Sequence, residues 1–170
     1  MTVMGTALTG LCLGAVMGVL WWWITPTEQW IKVDGGLGAA ELSSPNWFAA
    51  DGWFLVLGVV AGLLLTGISW VWARRHPVAL VLGLLMGASL LSVVAWSVGG
   101  FLGPPDPNVA AASVAVGSTV DGSLGLRALG VLAAPVISAL ALVSLLLATM
   151  SVADPAAAAI PQERVGPTGF

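Results

Sequence analysis

The chain has 170 residues, 58% of them hydrophobic and 8% charged, with a mean hydropathy of +1.01. An ordinary soluble domain carries about 25% charged residues, so both a soluble globule and a disordered chain are excluded. Five Lys plus Arg against eight Asp plus Glu leave a net charge of −3, which is no electrostatic footprint for nucleic acid, and one cysteine with one histidine cannot build a zinc site, a disulfide or a redox pair within the chain.

A transmembrane helix needs about 20 apolar residues to cross about 30 Å of hydrocarbon. Four charge-free runs reach that length, at about 2–24, 53–73, 78–102 and 128–152. The first has no Lys or Arg ahead of it and no small-residue cleavage site after Trp21-Trp22-Trp23, which predicts a retained span rather than a secretory signal. Cys12 follows Leu11 and sits deep in the apolar run, so it reads as a buried packing residue and not a lipidated one.

The loop 25–52 contains Trp30 to Val33, then Asp34-Gly35-Gly36, then Leu37 to Leu42, a strand, turn, strand pattern that predicts a small hairpin on the membrane surface. Ser44-Pro45 has the chemistry of a helix start, a capping hydroxyl followed by Pro at the first helical position, so the second helix is expected to begin ahead of Trp53. Arg74-Arg75-His76-Pro77 closes the second span in the shortest loop, and basic residues there resist translocation. Arg74 and Arg75 therefore predict a cytoplasmic turn, both termini cytoplasmic, and outward-facing loops at 25–52 and 103–127. Those loops hold Glu28, Asp34, Glu41, Asp51, Asp106 and Asp121 against Lys32 and Arg127. Trp21, Trp22, Trp23, Trp30, Trp47, Trp53 and Trp96 are expected as anchors at the outer interface, with Trp70 and Trp72 at the inner one. In the fourth span Pro135 removes a backbone donor and predicts a bend, which Ser138 is placed to accommodate. The tail 153–170, rich in Pro and Ala, reads as a flexible end.

Gly10, Gly14 and Gly18, Gly58 and Gly62, and Gly83 and Gly87 recur at spacings of four, the pattern of smooth faces on which helix backbones approach closely. Gly10, Gly14 and Trp23 match Gly83, Gly87 and Trp96 at one constant offset, and Asp51-Gly52 matches Asp121-Gly122 ahead of the next span. Two repeated helical hairpins related by a twofold along the membrane normal would explain this, as would the sheer abundance of Gly and Ala.

The spans hold no acid, base or histidine in mid-membrane, where proton and ion pathways usually carry them. Their hydroxyls, Thr66, Ser69, Ser89, Ser92, Ser97, Ser138 and Ser144, are adequately explained by helix–helix hydrogen bonds. His76 lies across the bilayer from the outer acids, which removes a Ser-His-Asp hydrolase and leaves it an interface residue. The suggestive cluster is Trp47 to Phe54, with Asp51 among aromatics at the mouth of the second span. Arg127 opens the fourth span at the helix end where the dipole disfavours a cation, so it calls for a carboxylate. Asp51 or Asp121 is in reach of that role; the open alternatives are solvation alone and an Asp51 that faces a ligand.

Ala50-Asp51-Gly52-Trp53-Phe54, Arg74-Arg75-His76-Pro77, and the Gly-rich third span ending in Trp96 and Gly99-Gly100-Phe101-Leu102-Gly103-Pro104 resemble an actinobacterial family of four-span integral membrane proteins known as a domain of unknown function. The resemblance covers the first three spans well and the fourth loosely. It implies location and fold and transfers no catalytic residue. The expectation is thus an all-α, four-helix transmembrane bundle in a bacterial cytoplasmic membrane, non-enzymatic and without cofactor or metal. It would act as an accessory or structural subunit whose partners are the bilayer, other membrane or envelope proteins, or a second copy. The alternative is a small oligomeric transporter or lipid-handling protein, which would require a polar, water-accessible cavity in the bundle.

Overall fold

In the computed structural model of the chain, residues 2–40 and 48–152 are described. The Ser44-Pro45 helix start, Glu41, Trp47 and the tail from 153 lie outside them. Helix α1 spans Thr2–Ile24, strands β1 and β2 span Gln29–Val33 and Gly36–Ala39, and helices α2 and α3 span Ala49–Ala73 and Pro77–Leu102. A short helix α4 (Pro107–Ala112), strand β3 (Thr119–Asp121), a 3-10 turn (Leu129–Ala133) and helix α5 (Ala134–Val152) complete the order. Among the described residues α1, α2, α3 and α5 are long and apolar enough to cross a membrane, which makes the chain a multi-pass, all-α four-helix bundle.

These helices are apolar on every face, and the side that turns inward is the one where small residues let backbones approach, with Phe54, Leu65, Leu80, Leu84 and Leu91 filling the space between. The buried positions of α2 are Phe54, Gly58, Ala61, Gly62, Leu65, Thr66, Ser69 and Ala73, and those of α3 include Gly83, Gly87, Ala88, Ser92, Ala95 and Gly99. Val71, Val78, Leu82 and Leu145 point outward, where lipid would lie. Hydrocarbon attracts Leu as well as a protein core does, so the bundle closes by backbone approach at small residues.

α1 and α3 run parallel and make the closest contact. A Cβ on Gly10 would collide with the Gly87 carbonyl, one on Gly14 would lie 2.7 Å from the Leu91 carbonyl, and one on Gly18 would lie 2.7 Å from that of Ala95. The opposing pair, α2 and α5, repeats the device, with Gly58 against Pro135 and Gly62 against the Pro135 carbonyl and the Ser138 hydroxyl. The hairpins do not keep a strict twofold. Its mate for the Gly10–Gly87 contact would set Gly14 on Gly83, whereas Gly14 meets Leu91 and Gly83 meets Thr6. The α1–α3 register is one helical turn away from the symmetric one.

Three local expectations are corrected. Cys12 is exposed rather than buried, because at about 100° per residue it lies about 200° around the helix from Gly10. Trp21 is fully buried rather than an interface anchor, since it continues the inward line of Gly14, Met17 and Gly18. Pro135 does not bend a continuous fourth helix. The span begins as the 3-10 turn, and Pro135 falls in the opening turn of α5, where its missing N–H costs least. With no N–H at Pro135 to meet the Leu132 carbonyl three residues back, the Ser92 hydroxyl of α3 donates to it at 2.8 Å. Ser138 donates to the Pro135 carbonyl at 3.1 Å.

The hairpin forms around Asp34-Gly35, with Val33 paired to Gly36. Gly35 has φ +93° and among the described residues no non-glycine has positive φ, Asp34 included, so the turn carries the type II sign pattern and not the doubly positive type I′. A third strand, which the sequence reading did not anticipate, joins the other edge of β1: β3 pairs antiparallel through Trp30↔Val120 and Ile31↔Thr119, giving the order β2-β1-β3. The two loops at this end of the bundle thereby form one small sheet.

Candidate functional site

The polar chemistry of the described residues gathers where this sheet meets the helix ends. Glu28 directly precedes β1, and its carbonyl accepts the Gly122 N–H at 2.6 Å, extending the β1–β3 pairing by one step. That bond fixes the backbone so that the Glu28 carboxylate meets Arg127, whose Nη2 donates to Oε2 at 2.8 Å and to Oε1 at 3.0 Å. Gly122 is small because the Trp30 indole crosses it; a Cβ there would lie 2.8 Å from Nε1. Lys32 reaches the second loop as well, donating from Nζ to the Val114 carbonyl at 2.7 Å, and Thr27 Oγ1 lies 3.5 Å from Asp121.

Asp51, in the first turn of α2, accepts two backbone N–H groups: Arg127 on Oδ1 and Ala128 on Oδ2, each at 3.1 Å. The residue that caps the 3-10 turn, Ala128, has no side-chain acceptor of its own. Asp51 therefore caps the fourth span from a neighbouring helix, while its charge also favours the positive end of α2. Asp51 and Arg127 do meet, through the carboxylate of one and the backbone of the other, and the Arg127 guanidinium is engaged by Glu28. Sequence reasoning overlooked Glu28, because only the pairing of two strands far apart in the chain brings it to Arg127.

Beneath this layer Trp21 sets the position of α2. Its Nε1–H donates to the Ala50 carbonyl at 2.8 Å, and its ring stands edge-on to Phe54 with centroids 5.1 Å apart at 84°. Gly99 gives it room, since a Cβ there would collide with the indole. One buried aromatic thus joins α1, α2 and α3 next to Asp51. Gly14, Gly18 and Trp21 share one face of α1 by their spacing, but in a helix that is apolar all round nothing in the sequence marks that face as the inward one.

A cavity of about 240 Å³ opens among Thr27, Glu28, Ala50 and residues 122–127. Pockets for drug-sized ligands run from about 300 to 1,000 Å³, so this one suits water or a small ion pair more than an organic substrate. Among the described residues no group of three His, Cys, Asp or Glu could hold a metal ion. Of the remaining sequence-designated residues, Gly10, Gly14, Gly18, Gly58, Gly62, Gly83 and Gly87 lie in the helix contacts above, and Arg74 and Arg75 are exposed at the opposite end. No family model matches the chain, and no curated protein or solved structure is significantly similar to it. The functional reading rests on the geometry of the chain itself.

Proposed function

We propose that this protein is an accessory or structural subunit of a bacterial cytoplasmic membrane, non-enzymatic and without cofactor, with Arg74, Arg75 and both termini on the cytoplasmic side. Its outer platform presents β1–β3 to another membrane or envelope protein or to a second copy. The observation that carries this reading is the division of labour along the bundle. The interior is filled by apolar side chains such as Phe54, Leu65, Leu84 and Leu91 and by glycine-to-backbone contacts, and the hydroxyls of Thr66 and Ser92 bond between helices. Thr66 Oγ1 lies 3.0 Å from the Gly62 carbonyl and 3.3 Å from that of Ala139. At the sheet-bearing end, by contrast, Asp51, Glu28 and Arg127 are tied together in a polar surface layer. Membership of the actinobacterial membrane family is part of the same proposal and rests on the resemblance at 50–54, 74–77 and 96–104, stretches that fall at both ends of the bundle.

A photo-crosslinker in place of Asp34, at the exposed hairpin tip, should capture one stoichiometric protein from intact membranes. Solute flux through liposomes containing the purified chain alone would sink the reading in favour of a transporter. In a Cys12→Ser background, a cysteine at position 34 should react with an impermeant maleimide in intact cells and one at position 75 should not; the reverse labelling would invert the topology.

A further inference from the structure

The end of the bundle away from the sheet has a different chemistry. α2 stops at Ala73, and Arg74, Arg75 and His76 form an exposed turn into Pro77, the first residue of α3. Beside it a cleft of about 460 Å³ runs between α1 and α3, walled by Val3, Val78, Ala79 and Leu82 with Arg75 and His76 at its rim. Val78 and Leu82 are 73% and 55% exposed, an apolar surface that no described part of the chain covers.

Charge is segregated along the molecule. Every described carboxylate, Glu28, Asp34, Asp51, Asp106 and Asp121, belongs to the sheet-bearing end. Among the described residues, therefore, no acid neutralises Arg74 and Arg75, and the positive end of α3 adds to the same field. Trp72, whose ring lies over Gly5, places an aromatic at the interface level of this end. Cations above an apolar cleft, at the depth where head groups give way to hydrocarbon, is the profile of a phospholipid with net negative charge.

We propose that this cleft holds an anionic phospholipid, its phosphate paired with Arg74 and Arg75 and one acyl chain against Val3, Val78 and Leu82. The proposal rests on the chain spanning a membrane and is independent of the role assigned to the outer platform.

Native mass spectrometry of the full chain, delipidated in a neutral detergent, tests it by competition between phosphatidylglycerol and phosphatidylcholine of identical chains. Two arginines at a charged head group predict a preference for phosphatidylglycerol of about tenfold or more. Arg74→Gln with Arg75→Gln should abolish it, Arg74→Lys with Arg75→Lys should retain most of it, and Arg127→Gln, at the other end, should leave it intact. Val78→Ser should weaken retention of both lipids. Equal binding of the two lipids, or a preference that survives the double Gln variant, overturns the proposal. So does a preference that emerges only after residues 153–170 are removed, since the tail would then be the occupant. Glycerol phosphate competing as well as the lipid would mark a free-phosphate site, which also overturns it.

Discussion

At the scale of single residues, Asp51 and Arg127 differ in what their loss leaves behind. Asp51→Asn leaves one of two backbone N–H groups at the start of the fourth span without an acceptor, a capping defect that should cost about 1 kcal/mol. Arg127→Gln gives up an ion pair in which the arginine side chain is 47% exposed, and such pairs contribute only about 0–1 kcal/mol. Thermal unfolding in detergent should rank Asp51→Asn as the more damaging, and a double-mutant cycle between Glu28→Gln and Arg127→Gln should show coupling of about 0.5 kcal/mol. A cycle with no coupling would mean that the pair does not hold the sheet to the fourth span. Trp21→Phe keeps an aromatic against Phe54 but loses the bond to the Ala50 carbonyl, and should cost about 1 kcal/mol or more. Trp23→Phe, on the outward face, should be almost silent.

Within elements, stability depends on how closely backbones meet. Gly14→Leu drives a side chain into the Leu91 carbonyl and should lower the unfolding midpoint severely, whereas Gly67→Ala adds a methyl where nothing lies within 4 Å and should be neutral or stabilising. Equal midpoints for the two variants would remove the glycine seam as the source of cohesion. The start of the fourth span makes a separate point. Pro135 leaves the Leu132 carbonyl short of a donor, and Ser92 supplies one from α3. Ser92→Ala should therefore destabilise by about 1 kcal/mol, while Ser89→Ala, whose hydroxyl bonds only within its own helix, should change little.

For the whole molecule, β1–β3 pairing is the only backbone ladder that connects the two loops between spans among the described residues. The Lys32 N–H to Ser118 carbonyl bond makes 32/118 a hydrogen-bonded pair, so Ile31 and Thr119 form the adjacent non-hydrogen-bonded pair, whose Cα atoms lie close enough to be bridged. In a Cys12→Ser background, Ile31→Cys with Thr119→Cys should oxidise to a single intramolecular disulfide, visible as a mobility shift on a non-reducing gel, and should raise the unfolding midpoint. Failure to close, with both thiols accessible to maleimide, would show that the loops do not share a sheet in the membrane.

The sequence by itself determined the number of spans, their approximate limits, the hairpin at Asp34-Gly35, and the placing of six of the eight acids in the loops at one end and of Arg74 and Arg75 at the other. Each of these is a local property: twenty apolar residues satisfy the bilayer wherever they pack, and a turn residue acts on its immediate neighbours. Tertiary structure decided which of three adjacent tryptophans enters the core, why Cys12 faces outward, and which carboxylate holds Arg127. Hydropathy cannot assign the inward face of a helix that is apolar all round; there the choice falls to the backbone contacts that glycine permits. The contacts of Arg127 with Asp51 and Glu28 join residues 76 and 99 positions apart. They exist because Trp21 sets the height of α2 and β3 closes on β1, and neither event leaves a periodic trace along the chain.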